Sequence, residues 1–261
     1  MYSNLQGSGR LQEPFFFISD VHISTVMDAK EEERRQTLFQ LFDSIEQRGG
    51  TLFILGDFFD FWFEYPGYIH PALKEVVTRL LQVRDRGVEI HYIGGNHDFW
   101  VRDLILREEA MYFYPDHIAF TAGKDAADGG IRFYLCHGDG LLKNDHGYRL
   151  MKKVLRNPLA IFGFRLLGPS WGYRLGEKAN NRSRHNYTVM LPYLQRDADE
   201  MMVWQAGRLS EGYDICIMGH IHYPELRQEA SKSRVLLGDW VVPNHRYYAL
   251  WDSDGIQRIQ I

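Results

Sequence analysis

The chain has 261 residues, 45% apolar and 14% aromatic, enough to bury one substantial core without disulfides or a partner. A formal net charge of -4 argues against a general nucleic-acid binder, and the two cysteines, Cys136 and Cys216, point to a reducing compartment rather than a disulfide framework. No uninterrupted apolar run approaches the roughly 20 residues that span a bilayer, and MYSNLQGSGR lacks the apolar core of a signal peptide, so the chain reads as cytoplasmic.

Residues 1–12 are polar and read as a flexible tail or an expression remnant; 13–261 read as one domain. The run FFFISDVH, residues 15–22, predicts a buried strand that ends abruptly in Asp20 and His22. In the next segment Leu38, Leu41, Phe42 and Ile45 recur at helical spacing before the stop at Gly49. LFILGDFFD (52–60) predicts a second strand, and Leu73, Val76, Val77, Leu80 and Leu81 predict a second helix ending at Gly87. IHYIGGNHD (90–98), RFYLCHGDG (132–140) and ICIMGHIH (215–222) repeat the strand-then-polar design. Strand, helix, strand, helix, strand implies parallel β-α-β units and an α/β fold, whose chemistry gathers beyond the carboxyl ends of the strands.

Those exits carry Asp20 and His22, Asp57, Asn96 and His97, His137, then His220 and His222. A single Asp at a strand end is usually a cap or turn former, but that reading would have to hold at five exits at once. In Asp20-x-His22 and His220-x-His222, an extended backbone would point both side chains the same way, as joint metal ligation requires. Carboxylate, amide and imidazole donors suffice for two divalent cations if one Asp bridges them, and suit Mn, Fe or Zn, among which softness alone does not choose. Cys136 precedes His137 within an apolar run, so it should face the core, and Asp60 reads as a helix-start or loop cap.

Asp20-x-His22, Gly56-Asp57, Gly95-Asn96-His97-Asp98, His137-Gly138-Asp139 and Gly219-His220-x-His222 resemble, in order, the five signature blocks of the calcineurin-like metallophosphoesterases. The resemblance implies a four-layer α/β/β/α sandwich. Asp20, His22, Asp57 and His222 would hold one metal and Asp57, Asn96, His137 and His220 the second. The late segments SRVLLGDWV, RYYALWD and GIQRIQI would close the second sheet. Two cations would lower the pKa of a water between them and neutralise charge on the phosphoryl oxygens. His97, beside ligand Asn96, would then contact the phosphoryl group or protonate the leaving oxygen, with Asp98 orienting it.

Between the fourth and fifth blocks lies an insertion at about 141–200. HGDGLLKNDHGYRLMKKVLRNPL resembles the matching segment of the UDP-2,3-diacylglucosamine pyrophosphatases of lipid A biosynthesis, through Leu141, Asp145, Gly147 and Tyr148. EKANNRSR and VLLGDW resemble further patches of that family, whose better-known members carry Arg where this chain has His97. The resemblance implies cleavage of a nucleotide-linked glycolipid, with Asn96, His97, Asp145, Tyr148, Lys178, Asn180 and Arg184 as substrate contacts and no obligate protein partner. The insertion also reads without the family: from Lys143 to Arg184 it holds ten basic residues against two acidic ones. Leu150 with Val154 and Met151 with Leu155 form an apolar face beside Arg149, Lys152, Lys153 and Arg156, which predicts a helical lid. Such a lid would cover acyl chains with Phe162, Phe164, Leu166 and Leu167 and rest on the anionic inner face of the cytoplasmic membrane.

Overall fold

The computed structural model describes residues 5, 11–105, 107, 111–123, 129–178 and 194–261. Its first half alternates as predicted: β1 (Phe15–Ile18), α1 (Ala29–Arg48), β2 (Thr51–Ile54), α2 (Lys74–Asp85), β3 (Glu89–Ile93), α3 (Arg102–Ile105) and β4 (Met111–Tyr114). There follow β5 (His117–Ala122), β6 (Ile131–Cys136), α4 (His146–Leu155), α5 (Pro158–Leu166), a helix α6 over 168–178, and α7 (Leu194–Ser210). The chain closes with β7 (Ile215–Met218), β8 (Glu225–Glu229), β9 (Lys232–Leu236), β10 (Tyr247–Asp252) and β11 (Gly255–Gln260).

Two sheets form, in the orders β11-β10-β1-β2-β3-β4 and β5-β6-β7-β9-β8. Pleating explains why the strands read as unbroken apolar runs: successive residues serve opposite faces, and both faces are covered. From β1 and β2, Phe16, Ile18, Leu52 and Ile54 enter the core that also contains Leu38, Phe42 and Leu80 of α1 and α2. Phe15, Phe17 and Phe53 enter the core between the sheets, where they meet Phe133 and Leu135 of β6 and Ile215 and Ile217 of β7. The other face of the second sheet, Cys136, Cys216 and Met218, packs on Ala198, Met201 and Met202 of α7. Helices, sheet, sheet and helix give the four-layer sandwich, and each fully buried Phe contributes about 1.5–3 kcal/mol to holding it.

Two strands depart from the expected placement. β10 and β11, the segments RYYALWD and GIQRIQI, belong to the first sheet, where β10 pairs antiparallel with β1 in the register Phe15↔Trp251. β1 has β2 on one edge only, so its other edge needs a strand, and Trp251 stacks on Phe15 at 5.0 Å once β10 fills it. Only β9 of the three segments joins the second sheet, parallel to β7. α7, whose first turns fall in the expected insertion, is likewise part of the body, with Asp197 and Ala198 buried.

Candidate metal centre

All five polar exits meet on one side of the paired sheets. Asp20 Oδ1 lies 3.3 Å from His222 Nε2 and 3.8 Å from His22 Nε2, and the two imidazole nitrogens face each other at 3.3 Å. Asp57 Oδ2 lies 3.4 Å from His137 Nε2, which is 3.1 Å from Asn96 Oδ1, and His220 completes this second group. His22 also approaches Asp60 Oδ1, at 3.7 Å from its Nδ1, and forms a third group with Asp60 and His97.

The residues fit divalent cations. Asp20 Oδ1 is buried with only the imidazole nitrogens of His222 and His22 near it, at 3.3 and 3.8 Å, and once those rings are neutral a cation would satisfy it. Burial, then His97 and His222, pulls His22 well below the ordinary imidazole value, and burial with His137 brings His220 down to about 4, so both present neutral nitrogen donors. Burial would lower His137 and His222 too, but Asp57 lifts the first to about 10 and Asp20 the second to about 9. Asp57 stays ionised: His137 and His97 outweigh its burial and hold it well below the usual carboxylate range.

The local backbone differs from the extended form expected for the two spaced pairs. Asp20 (φ 53°), His22 (52°), Asp57 (51°), His220 (71°) and His222 (59°) are all left-handed, a conformation costly for residues with a Cβ and retained where a site demands it. Beyond β1 and β2 the two segments still run side by side, Asp20 N–H donating to the Gly56 carbonyl and His22 N–H to the Asp57 carbonyl, so the pairs converge through left-handed loops rather than along one face of a strand. Two glycines make room. A Cβ on Gly95 would stand 2.1 Å from Asp57 Oδ1, and one on Gly219 would stand 2.0 Å from Ser19 Oγ and 2.2 Å from Asp20 Oδ2.

Asp98 does not orient His97. It is buried, and its carboxylate accepts the N–H groups of Asp57, Phe58, Phe59 and Gly95 as well as the Tyr92 hydroxyl, which saturates its acceptor positions. It shapes the loop that presents Asp57. His97 is held from the other side. Its Nδ1 donates to the Asp60 carbonyl at 2.7 Å, its backbone N–H donates to Asp57 Oδ1 at 2.9 Å, and its carbonyl accepts from Trp62 N–H. Since a carbonyl can only accept, Nδ1 carries the proton and Nε2 faces Asp57 Oδ2 at 3.8 Å.

Of the expected substrate contacts, Asn96 and His97 lie within the donor groups, and Tyr148 of the insertion approaches them, its ring 5.9 Å from that of His220 and its hydroxyl donating to Asp139 Oδ2 at 2.9 Å. Asp145 stands at the start of α4 without capping it through its side chain, and Lys178 is exposed near the end of the described part of α6. Asn180 and Arg184 lie outside the described residues. α4 is also turned differently from the expected arrangement. Lys152 Nζ pairs with Asp139 at 2.6 Å, Arg156 pairs with Asp116 and covers the Phe99 ring, and Arg149 spends its guanidinium on the carbonyls of Gly140, Leu142 and Lys143. With Lys153 these residues line a cavity of about 390 Å³, while Leu150, Met151 and Val154 face outward. Phe162 and Leu166 are 62% and 72% exposed, whereas Phe164 turns inward against Phe63 at 4.5 Å.

Three residues took on roles that the sequence did not reveal. Asp139 links Tyr148 and Lys152 to the His137 loop, and its place in the His-Gly-Asp block was the available signal. Asp239, in LLGDW, is buried with Oδ2 3.9 Å from His222 Nδ1 and 3.6 Å from His245 Nδ1. Asp60 approaches His22 rather than serving only as a cap.

Two groups of carboxylate and imidazole donors at the exits of two facing sheets define the site of a metal-dependent phosphoesterase. The family model "Calcineurin-like phosphoesterase" matches residues 13–224, and the chain belongs to that family. It is 26% identical to the UDP-2,3-diacylglucosamine hydrolase of Porphyromonas gingivalis, over 93% of this chain and 95% of that one. Its identity to the proteins of the same name from Neisseria meningitidis serogroup B and Pseudomonas aeruginosa is 28% and 27%, over 91% and 86% of this chain and 92% and 90% of theirs. Among solved structures, a dimetal phosphatase from Danio rerio aligns with a TM-score of 0.46 at 13% identity, over 92% of each chain.

Proposed function

We propose that the protein hydrolyses the pyrophosphate bond of UDP-2,3-diacylglucosamine, releasing UMP and 2,3-diacylglucosamine 1-phosphate. The observation that carries this reading is the pairing of a di-metal donor set with a helical insertion whose outer face is apolar. Leu150, Met151, Val154, Leu159, Phe162, Leu166 and Trp171 are all exposed on it. A water-soluble diester needs no such surface, whereas two acyl chains gain about 0.8 kcal/mol per CH₂ covered. Relatives named for this substrate, similar over nearly their full length, support the choice.

Asp20, His22, Asp57 and His222 would hold one cation and Asp57, Asn96, His137 and His220 the other; we take Mn as the first choice, with Fe or Zn compatible with the same donors. When bound, the two cations supply an activated water and offset charge developing on the phosphoryl oxygens. The chain does the rest. Asp98 fixes the Asp57 loop, so the carboxylate needs no reorganisation during the reaction. His97, with Nδ1 engaged by the Asp60 carbonyl, presents Nε2 to the cleft and in its imidazolium form delivers a proton to the departing phosphate oxygen. Asn96 would offer its amide to the metal or to the phosphoryl group, and Tyr148, Lys178 and the insertion would contact the remainder of the substrate.

We place the protein in the cytoplasm against the inner membrane face, held there by the insertion. No helix among the described residues is long and apolar enough to cross a membrane, which fits contact from one side. The inward turn of Lys152 and Arg156 leaves apolar insertion as the main attraction, with Lys153 adding to it on anionic lipid. The deciding experiment incubates Mn-loaded protein with UDP-2,3-diacylglucosamine and follows UMP release. Activity on simple aryl phosphodiesters with no UMP from the lipid would instead favour another phosphodiester substrate. Protein that retains no transition metal and cleaves neither would be a scaffold.

A further inference from the structure

We infer that the insertion is mechanically coupled to His97 through Phe61, so that seating of α6 positions the proton donor as well as covering the substrate. Phe61 lies between the two residues that clamp His97: the Asp60 carbonyl accepts from its Nδ1, and the Trp62 N–H donates to its carbonyl at 3.0 Å. Any shift of the Phe61 backbone therefore moves both clamps. Its ring packs on the insertion, against Tyr173 of α6 at 5.5 Å and Phe164 of α5 at 6.3 Å.

The contact with α6 is close because α6 has glycine where it meets the loop. A Cβ at Gly176 would stand 2.5 Å from the Phe61 ring, and one at Gly172 would stand 1.8 Å from the Tyr65 hydroxyl. Spacing of four residues puts both glycines on one helix face, forming a groove for the aromatic loop 61–65. The neighbouring Glu177 accepts the Thr25 hydroxyl at 2.6 Å, which ties α6 to the segment just after His22 as well. One helix of the insertion is thus fastened to the loops following two of the strand exits. Packed interfaces of this kind shift between discrete arrangements rather than deforming continuously, so loss of the seat is felt at the clamp.

This inference rests on the reading of His97 as the proton donor, and the test separates the two. Metal-loaded Gly176→Leu and Phe61→Ala are compared with the parent on soluble aryl phosphodiesters whose leaving phenols range from 4-nitrophenol to phenol. Coupling predicts a kcat loss of roughly tenfold on the phenol ester, little loss on the 4-nitrophenol ester and an unchanged KM, with no further loss when His97→Ala is combined. Phe61→Leu, which keeps an apolar wedge, should recover most of the rate. Losses that multiply with His97→Ala, or that fall on KM alone, would overturn the coupling. The imidazole ¹⁵N resonances of His97 give the independent arm: they should move in Gly176→Leu. Unmoved resonances sink the coupling, whereas moved resonances with an unchanged leaving-group dependence in His97→Ala sink only the proton-donor reading.

Discussion

The Asp98 carboxylate accepts the backbone N–H of Asp57 through Oδ1, at 3.2 Å, and that of Phe58 through Oδ2, at 2.7 Å, so one buried side chain dictates where the Asp57 loop runs. Replacing Asp98 with Asn turns one acceptor oxygen into a donor facing N–H groups, and each donor left unsatisfied costs about 1–3 kcal/mol. Asp98→Asn should lower the melting temperature and release metal together. A variant with parental metal content and slower turnover alone would return Asp98 to a catalytic role.

Gly95→Ala tests the same loop from the opposite side. Its Cβ would stand 2.1 Å from Asp57 Oδ1 and 2.4 Å from the Asp57 backbone nitrogen, so Asp57 must shift from its present place. Activity should fall by at least about 100-fold with a weakened metal site, while circular dichroism stays near that of the parent, because the clash is confined to one loop. Parental kcat would show that Asp57 tolerates displacement.

Metal uptake should release protons. His137 and His222 titrate at about 10 and about 9, so both carry a proton at pH 7, and a cation can bind their nitrogens only after it leaves. A raised pKa therefore opposes the metal at low pH, and affinity for Mn should increase as pH rises from 6 to 9. Calorimetry in buffers of different ionisation enthalpy measures the protons released. A value of zero at pH 7 would mean that both rings are already neutral.

The insertion separates support from recognition. Phe162→Ser and Leu166→Ser alter side chains that stand in solvent, so stability should change by less than about 0.5 kcal/mol, while hydrolysis of the diacylated substrate and binding to vesicles fall sharply. A small aryl diester should be cleaved at the parental rate. Phe164→Ser removes the ring packed on Phe63 and should lower the melting temperature. Equal destabilisation by all three would make the outer face ordinary core.

Cys136 and Cys216 are both buried, and burial pushes the Cys136 thiol up to about 12 and Cys216 well above its usual value. Neither should react with a thiol reagent at pH 8 in the native protein, and both should react on unfolding. Rapid native labelling would place one of them at a surface.

Much of this arrangement is legible in the residues. The strand exits could be found because an apolar run that ends in Asp, Asn or His beside a small residue has few other uses, and α1 and α2 could be found because Leu38, Phe42, Leu80 and their neighbours keep helical spacing. What stayed hidden depends on partners distant in the chain. The edge that β10 occupies is decided by which side of β1 is open. The orientation of α4 is decided by Asp139 and Asp116, which draw Lys152 and Arg156 inward. Asp98 misled because it adjoins His97 in sequence, yet its acceptors are filled by the N–H groups of residues 57–59. The left-handed backbone of Asp20, His22, Asp57, His220 and His222 escaped a reading based on extended strands, since Asp and His enter that region more often than most residues but sit far more often outside it.

Asp20 and His222 lie about 200 positions apart, yet their side chains meet at 3.3 Å, one from each sheet. The first cation site proposed above would therefore have no local precursor: no fragment carrying only one of the two sheets brings Asp20 and His222 together. A cation held there would act as a rivet between the two halves of the molecule, available only to a chain that has already brought its sheets into register.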